Sequence, residues 1–221
     1  QELTNNRVRA NFFVIRHGDR FDMGSPEIWK EKCKDGVYDH HDTPLSRDGH
    51  KQARITAQYL VKSGIVPDDI FSSPYLRTMQ TAEEIADAFN IVVKVEKGLS
   101  EGYHRRVQDP EKRAAFPYLD LNYKSLVIPI DNEPYRDFHK RVNVLAHCFK
   151  ENYSGTAFLI SHAATSLAFA AGILNCDVKN LGQIGACEVI HVAVLENGSP
   201  YLLHKYTPHE IHGQTVPWGY N

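Results

Sequence analysis

Short apolar runs alternate along this chain with longer stretches of helical period, and that alternation constrains the fold more than any other feature. The run "FFVI" reads as a strand at about 11–15, followed by a long loop to Pro44. "SRDGHKQARITAQYLVKSG" reads as a helix capped by Ser46 and closed by Gly64, with Ala53, Ala57 and Leu60 on one face. "DIFSSP" is a short strand, "YLRTMQTAEEIADAF" a helix presenting Ala82, Ile85, Ala86 and Phe89, and "IVVKVE" a strand. Residues 97–130 have no clear period. Phe138, Val142, Leu145 and Phe149 give "YRDFHKRVNVLAHCFKENY" one apolar face; "TAFLIS" and "ATSLAFAAGIL" follow as strand and helix. An Asn-Gly turn divides "CEVIHVAVLENGSPYLLHKY" into a hairpin. Strands alternating with helices predict an α/β protein, a mostly parallel central sheet flanked by helices on both faces. No repeat or linker divides the chain, so residues 1–221 are expected to form a single domain.

The composition narrows the partners. A formal net charge of -2 gives no general attraction to nucleic acid or to an anionic membrane, so any basic site must be local. No apolar run approaches the length of a membrane span. Cys33, Cys148, Cys176 and Cys187 are scattered without a C-x-x-C pair, and Cys148 and Cys187 sit in apolar periodic segments. They read as reduced core thiols, which points to a cytoplasmic compartment. Oligomeric state is left open.

Polar residues gather at the strand ends, where open α/β sheets bind ligands. The first strand runs into Arg16, His17 and Arg20; "DIFSSP" leads to Arg77; "TAFLIS" ends at His162; and the loop after "IVVKVE" adds Glu101. Each has an ordinary explanation alone: a surface ion pair, a hydrogen-bonded histidine, a solvated carboxylate. Together they suit phosphoryl transfer. Arginine forks match phosphate oxygens, an imidazole can attack phosphorus, and a carboxylic acid can protonate a leaving oxygen. No Walker pattern or metal-ligand cluster accompanies them, and adjacent His40 and His41 point apart. No metal and no cofactor is expected.

These residues lie in "VIRHGDR", "TPLSRDGHKQA", "IFSSPYLRTMQTA", "GLSEGY" and "LISHAA", which in this order resemble the motifs of the histidine phosphatase superfamily, home also to the cofactor-dependent phosphoglycerate mutases. The resemblance covers about residues 11–170. It implies a phosphoglycerate mutase-like fold and a phosphohistidine intermediate, with His17 as nucleophile, Arg16, Arg77 and His162 as phosphate ligands, Glu101 as proton donor and, in the narrower group named below, Arg20 as a further phosphate ligand. Ala163 stands where the acid phosphatase and phytase branch carries its donor Asp. "RHGDRFD", Trp29 and Cys33 are similar to the phosphatase domain of the suppressor-of-T-cell-receptor-signalling proteins and to insect steroid-phosphate phosphatases. The expected activity is a metal-independent phosphomonoesterase acting on a phosphorylated small molecule or phosphoprotein, of phosphotyrosine or steroid-phosphate type. The alternatives are a phosphoglycerate mutase, disfavoured by Arg20, and an inactive phospho-ligand-binding module. Between Glu101 and the helix beyond residue 130, Tyr103, Phe116, Tyr118 and Tyr123, with Arg105 and Arg106, either line an apolar pocket or seal that loop onto the domain.

Overall fold

The computed structural model of the chain describes residues 7–102 and 116–221. Tyr103, Arg105 and Arg106 lie outside the described residues. A six-stranded sheet organises the rest, built from β1 (Val8–Arg16), β2 (Asp69–Ser72), β3 (Val93–Val95), β4 (Gly155–Ser161), β6 (Val189–Leu195) and β7 (Pro200–Tyr206) in the order β3-β2-β4-β1-β6-β7. The pairs β3–β2, β2–β4 and β4–β1 are parallel, whereas β6 and β7 form the antiparallel hairpin at one side. A small second ladder joins β5 (Gln183–Ile184) to β8 (Trp218–Gly219).

Apolar residues on both faces of β1 explain why its sequence reads as a continuous run rather than an alternation. Phe12 and Val14 pack with α5 (Tyr135–Asn152) and α6 (Ala163–Leu174), through Phe149, Leu145, Leu167 and Phe169. Phe13 and Ile15 pack on the other face with α3 (Arg47–Lys62) and α4 (Leu76–Phe89), through Leu60, Met79 and Ile85. The expected cap of α3 is present: the Ser46 hydroxyl accepts from the Gly49 amide at 3.0 Å, and Gly64 follows the helix with φ +71°.

Two expectations are corrected. The span from Arg20 to Pro44 is not one long loop. It contains a single turn, α1 (Phe21–Gly24), and a helix, α2 (Pro26–Lys34), which begins at Pro26 and buries Trp29. Trp29 is the one buried residue of α2, so no apolar period marks it. Cys148 is half-buried on α5 rather than a core residue, whereas Cys187 is fully buried; all four thiols are free. Phe116 and Tyr118 pack partly buried on the α3–α4 side, and Tyr123 on the α5–α6 side. Among the described aromatics of this loop, sealing describes their packing. Among the described residues, no helix is long and apolar enough to cross a membrane.

Candidate active site

Strand register brings the site together. Arg16 lies opposite Ser161 on β1 and β4, and Ser72 opposite Ile160 on β2 and β4. The next residues along these adjacent parallel strands are His17, His162 and Ser73. They leave the sheet at one edge, with the His17 amide on Ser161 O at 2.8 Å and the Ser73 amide on Ile160 O at 3.0 Å. Arg77 comes from the first turn of α4. Glu101 arrives after β3 through a 3-10 turn, Lys97–Leu99.

The loop after β1 is held by close backbone packing. A Cβ on Gly18 would lie 2.6 Å from Gly49 O, so this position and the N-terminus of α3 fit only as glycine against backbone. Buried Asp19 then fastens three segments. One carboxylate oxygen accepts from the Ser46 hydroxyl and the other from the Thr215 amide, both at 2.6 Å, while its own amide donates to Gln52 at 2.8 Å.

The two histidines have defined tautomers. His17 Nδ1 lies 2.7 Å from Gly18 O, and a carbonyl only accepts, so Nδ1 carries the proton and Nε2 keeps its lone pair. His162 Nδ1 lies 3.0 Å from Arg77 Nη2, which only donates, so Nδ1 accepts there and Nε2–H donates to Ser73 Oγ at 2.9 Å. The imidazole centroids are 5.5 Å apart. Burial holds the His17 pKa well below its usual value, and the charges of Arg77 and Arg16 push it the same way. His162 is lowered by burial and then by Arg77. Burial also pulls Arg16 down to about 10, against the opposing charge of Glu101.

Cation capacity is left over. Arg16 Nη1 donates to Ile184 O at 2.7 Å and to Val216 O at 3.0 Å, but its buried Nε has no protein partner among the described residues. The buried Nε of Arg77 is likewise unpaired. Two desolvated guanidinium N–H groups without acceptors suit an anion that supplies oxygen atoms. Glu101 is tied loosely: Oε2 is 3.5 Å from Arg77 Nη2 and 3.9 Å from His162 Nδ1, and the side chain is 40% exposed.

Arg16, His17, Arg20, Glu101 and the C-terminal residues Thr215, Val216 and Trp218 line a cavity of about 160 Å³. Arg77 and His162 are buried beside His17 and contact each other. Arg20 is at the cavity, yet Nε and Nη2 form a fork on Asp22 at 3.0 and 2.6 Å, so an anion would share this guanidinium with a carboxylate. Sequence reading missed the tail at 207–221 entirely. It reaches the site through the main-chain groups Thr215 N and Val216 O, through the Thr215 hydroxyl, which accepts from the Arg20 amide at 2.9 Å, and through the side chains of Val216 and Trp218, in a stretch without helical or strand period. Ser73 was passed over because a serine at a strand end is ordinary. Among the described residues, no cluster of three or more His, Cys, Asp or Glu could hold a metal.

Buried neutral histidines make stability depend on pH. The unfolded chain binds these protons near about pH 6.5. Above that pH neither state is protonated there and the contribution is complete. As pH falls below it, the unfolded chain takes up protons that folded His17 and His162 refuse. Stability should then drop by about 1.4 kcal/mol per pH unit for each histidine. Urea melts at about pH 7.5 and about pH 5.5 measure this, and His17→Ala should remove one histidine's share. Identical midpoints at the two pH values in the native chain would show that the imidazoles are not held neutral.

The chain has recognisable relatives. Over 227 aligned residues it is 32% identical to human ubiquitin-associated and SH3 domain-containing protein A, covering 83% of this chain and 34% of that protein. It is 27% identical over 208 residues to ecdysteroid-phosphate phosphatase of Bombyx mori, covering 75% of this chain and 31% of the relative. The chain thus spans about a third of the length of these two proteins. A crystal structure of the Bombyx mori ecdysone phosphate phosphatase in complex with tungstate shares the fold, with a TM-score of 0.72 at 21% identity over 93% of this chain and 96% of that one. The profile of the histidine phosphatase superfamily, branch 1, matches residues 12–205, from the core of β1 to the last hairpin strand, and the chain belongs to that superfamily.

Proposed function

We propose that this protein is a phosphomonoesterase that works through a phosphohistidine on His17. The observation that carries this reading is the tautomer of His17: Nδ1–H is committed to Gly18 O, which leaves the Nε2 lone pair beside two arginines with unpaired N–H groups. A bound phosphate monoester would place its oxygens on Arg16, Arg77 and the free donors of Arg20. His17 Nε2 attacks phosphorus and the bond from phosphorus to the ester oxygen breaks. The leaving oxygen takes its proton from Glu101. Water then attacks the phosphohistidine, gives its proton to the Glu101 carboxylate, and the P–N pair returns to Nε2. The arginines neutralise the charge that develops on phosphorus oxygens. His162 spends both ring nitrogens on protein, accepting from Arg77 at Nδ1 and donating to Ser73 from Nε2, so it serves the phosphate by holding Arg77 in place.

The cavity is small, and its rim is apolar. Met23, Val216 and Trp218 line it and are 48%, 69% and 40% exposed. A phosphoryl group fills the cationic end and the organic part lies over these side chains. This supports a substrate with an aromatic or steroid-like body, the kind named for the Bombyx mori relative. Purified protein with EDTA should hydrolyse p-nitrophenyl phosphate, a phosphotyrosine peptide or a steroid phosphate, and should not convert 3-phosphoglycerate with the bisphosphate primer. Loss of turnover in chelator with rescue by a divalent cation would sink the metal-free mechanism. Mutase turnover would show that Arg20, shared with Asp22, does not set the reaction.

A further inference from the structure

We infer that Arg141, braced by Glu133, is a positioning residue that sets where the Glu101 carboxyl stands; this rests on the reading of Glu101 as proton donor. Glu101 is attached to the site through its main chain. Among the described residues its carboxylate makes two long contacts, to Arg77 and His162, so its position follows the backbone that carries it. That backbone belongs to no sheet ladder, and its carbonyls need partners from elsewhere. Arg141 of α5 supplies most of them. Nη1 donates to Gly98 O at 2.5 Å, and Nη2 to Ser100 O at 3.0 Å and Glu101 O at 3.1 Å. Side chains of the β4–α6 junction complete the set. Ser161 Oγ donates to Leu99 O at 2.7 Å and Thr165 Oγ1 to Ser100 O at 3.1 Å, while the Tyr75 hydroxyl donates to Gly102 O. Every carbonyl from Gly98 to Gly102 is held by a side chain. Two of the holders, Ser161 and Thr165, flank His162 in sequence.

Arg141 is itself held rigid. Nε and Nη2 fork onto the Glu133 carboxylate, both at 2.7 Å, and the side chains are only 5% and 2% exposed. All three nitrogens of the guanidinium are engaged: Nε spends its single N–H on Glu133, Nη2 divides its two among Glu133, Ser100 O and Glu101 O, and Nη1 gives one to Gly98 O. A buried ion pair is a poor stabiliser compared with apolar packing, so its cost calls for another role. Here the planar fork gives what an apolar pair cannot: several carbonyls fixed by one rigid group. Because Glu133 cancels the charge, the brace adds no net cation beside the proton donor. The rival account is that Arg141 merely caps the carbonyls of an irregular segment, in which case its loss would harm turnover of all substrates alike.

The test compares glycerol 2-phosphate, whose alkoxide needs a proton, with p-nitrophenyl phosphate, whose leaving group barely does. The variants are Arg141→Lys, which keeps the ion pair but not the fork, and the paired change Arg141→Met with Glu133→Leu, which removes both charges together. We expect kcat on glycerol 2-phosphate to fall about tenfold or more beyond any fall on p-nitrophenyl phosphate. Inhibition by inorganic phosphate should stay unchanged, since Arg16 and Arg77 are untouched. Combined with Glu101→Gln, neither change should alter the ratio of the two substrates further. Equal losses on both substrates, altered phosphate inhibition, or an added change on top of Glu101→Gln would each overturn the proposal. If the paired variant does not fold, Arg141→Lys carries the same comparison. If Glu101→Gln itself shows no leaving-group dependence, the proton-donor reading has failed and the brace falls with it. If that dependence is present and the Arg141 variants lack it, the brace alone is wrong.

Discussion

His17→Ala is expected to remove turnover by roughly 10⁴-fold or more while the protein stays folded. The size of the effect follows from the role. Without an imidazole the phosphoryl group has no acceptor nitrogen, and water must attack the ester directly in a site built for a different nucleophile. The fold should persist because the loop is secured by other groups: the Gly18 amide on Thr81 Oγ1 at 3.1 Å, the packing of Gly18 on Gly49, and the Asp19 carboxylate on Ser46 and Thr215. Phosphate binding should also survive in part, since Arg16 and Arg77 keep their unpaired Nε groups. Rapid-quench labelling of the native protein should trap acid-labile phosphate that is absent from the variant. A variant that retained near-native turnover would rule out a covalent intermediate at His17.

How far the sequence speaks depends on the kind of group that does the work. The two-sided burial of β1 was legible in "FFVI", because a strand buried on both faces needs apolar side chains at consecutive positions. Ser46 and Gly64 were legible as helix ends because capping has its own residue preferences. The convergence of Arg16, His17, Arg77, His162 and Glu101 followed from strand ends that carry unusual side chains. By contrast, α2 offers one buried residue, Trp29, and its charged positions hide any period. The tail contributes main-chain atoms, which no residue type announces, and the ordinary side chains of Thr215, Val216 and Trp218 in a stretch with no period. Arg20 could be placed near the site, but not its fork on Asp22, since local ion pairs depend on rotamers. Arg141 was readable and overlooked. It falls between Phe138 and Leu145 on the stripe that faces the core, a place where an arginine must find several acceptors.

Glu101→Gln should slow hydrolysis of alkyl phosphates by about 10²-fold to 10⁴-fold while changing p-nitrophenyl phosphate turnover far less. An alkoxide is strongly basic and departs poorly unless a proton reaches it as the bond breaks. Nitrophenolate is stable as an anion. Glutamine keeps the size and a hydrogen-bond donor of the acid but has no proton to give. The geometry favours this role over a purely structural one. At 3.5 Å from Arg77 and 40% exposed, Glu101 makes a weak ion pair, worth at most about 1 kcal/mol at such a site, so its removal should hardly touch stability. The same exposure admits the water that hydrolyses the phosphohistidine and returns the proton to Glu101. A carboxylate placed only to order Arg77 would act on phosphate binding, and both substrates would then lose rate by one common factor. The plot of log kcat against leaving-group pKa separates the two accounts. A proton donor gives a shallow slope in the native protein and a steep one in Glu101→Gln. Parallel lines would assign the proton to another residue or to water, and would leave Glu101 as a neighbour of Arg77 without a part in bond breaking.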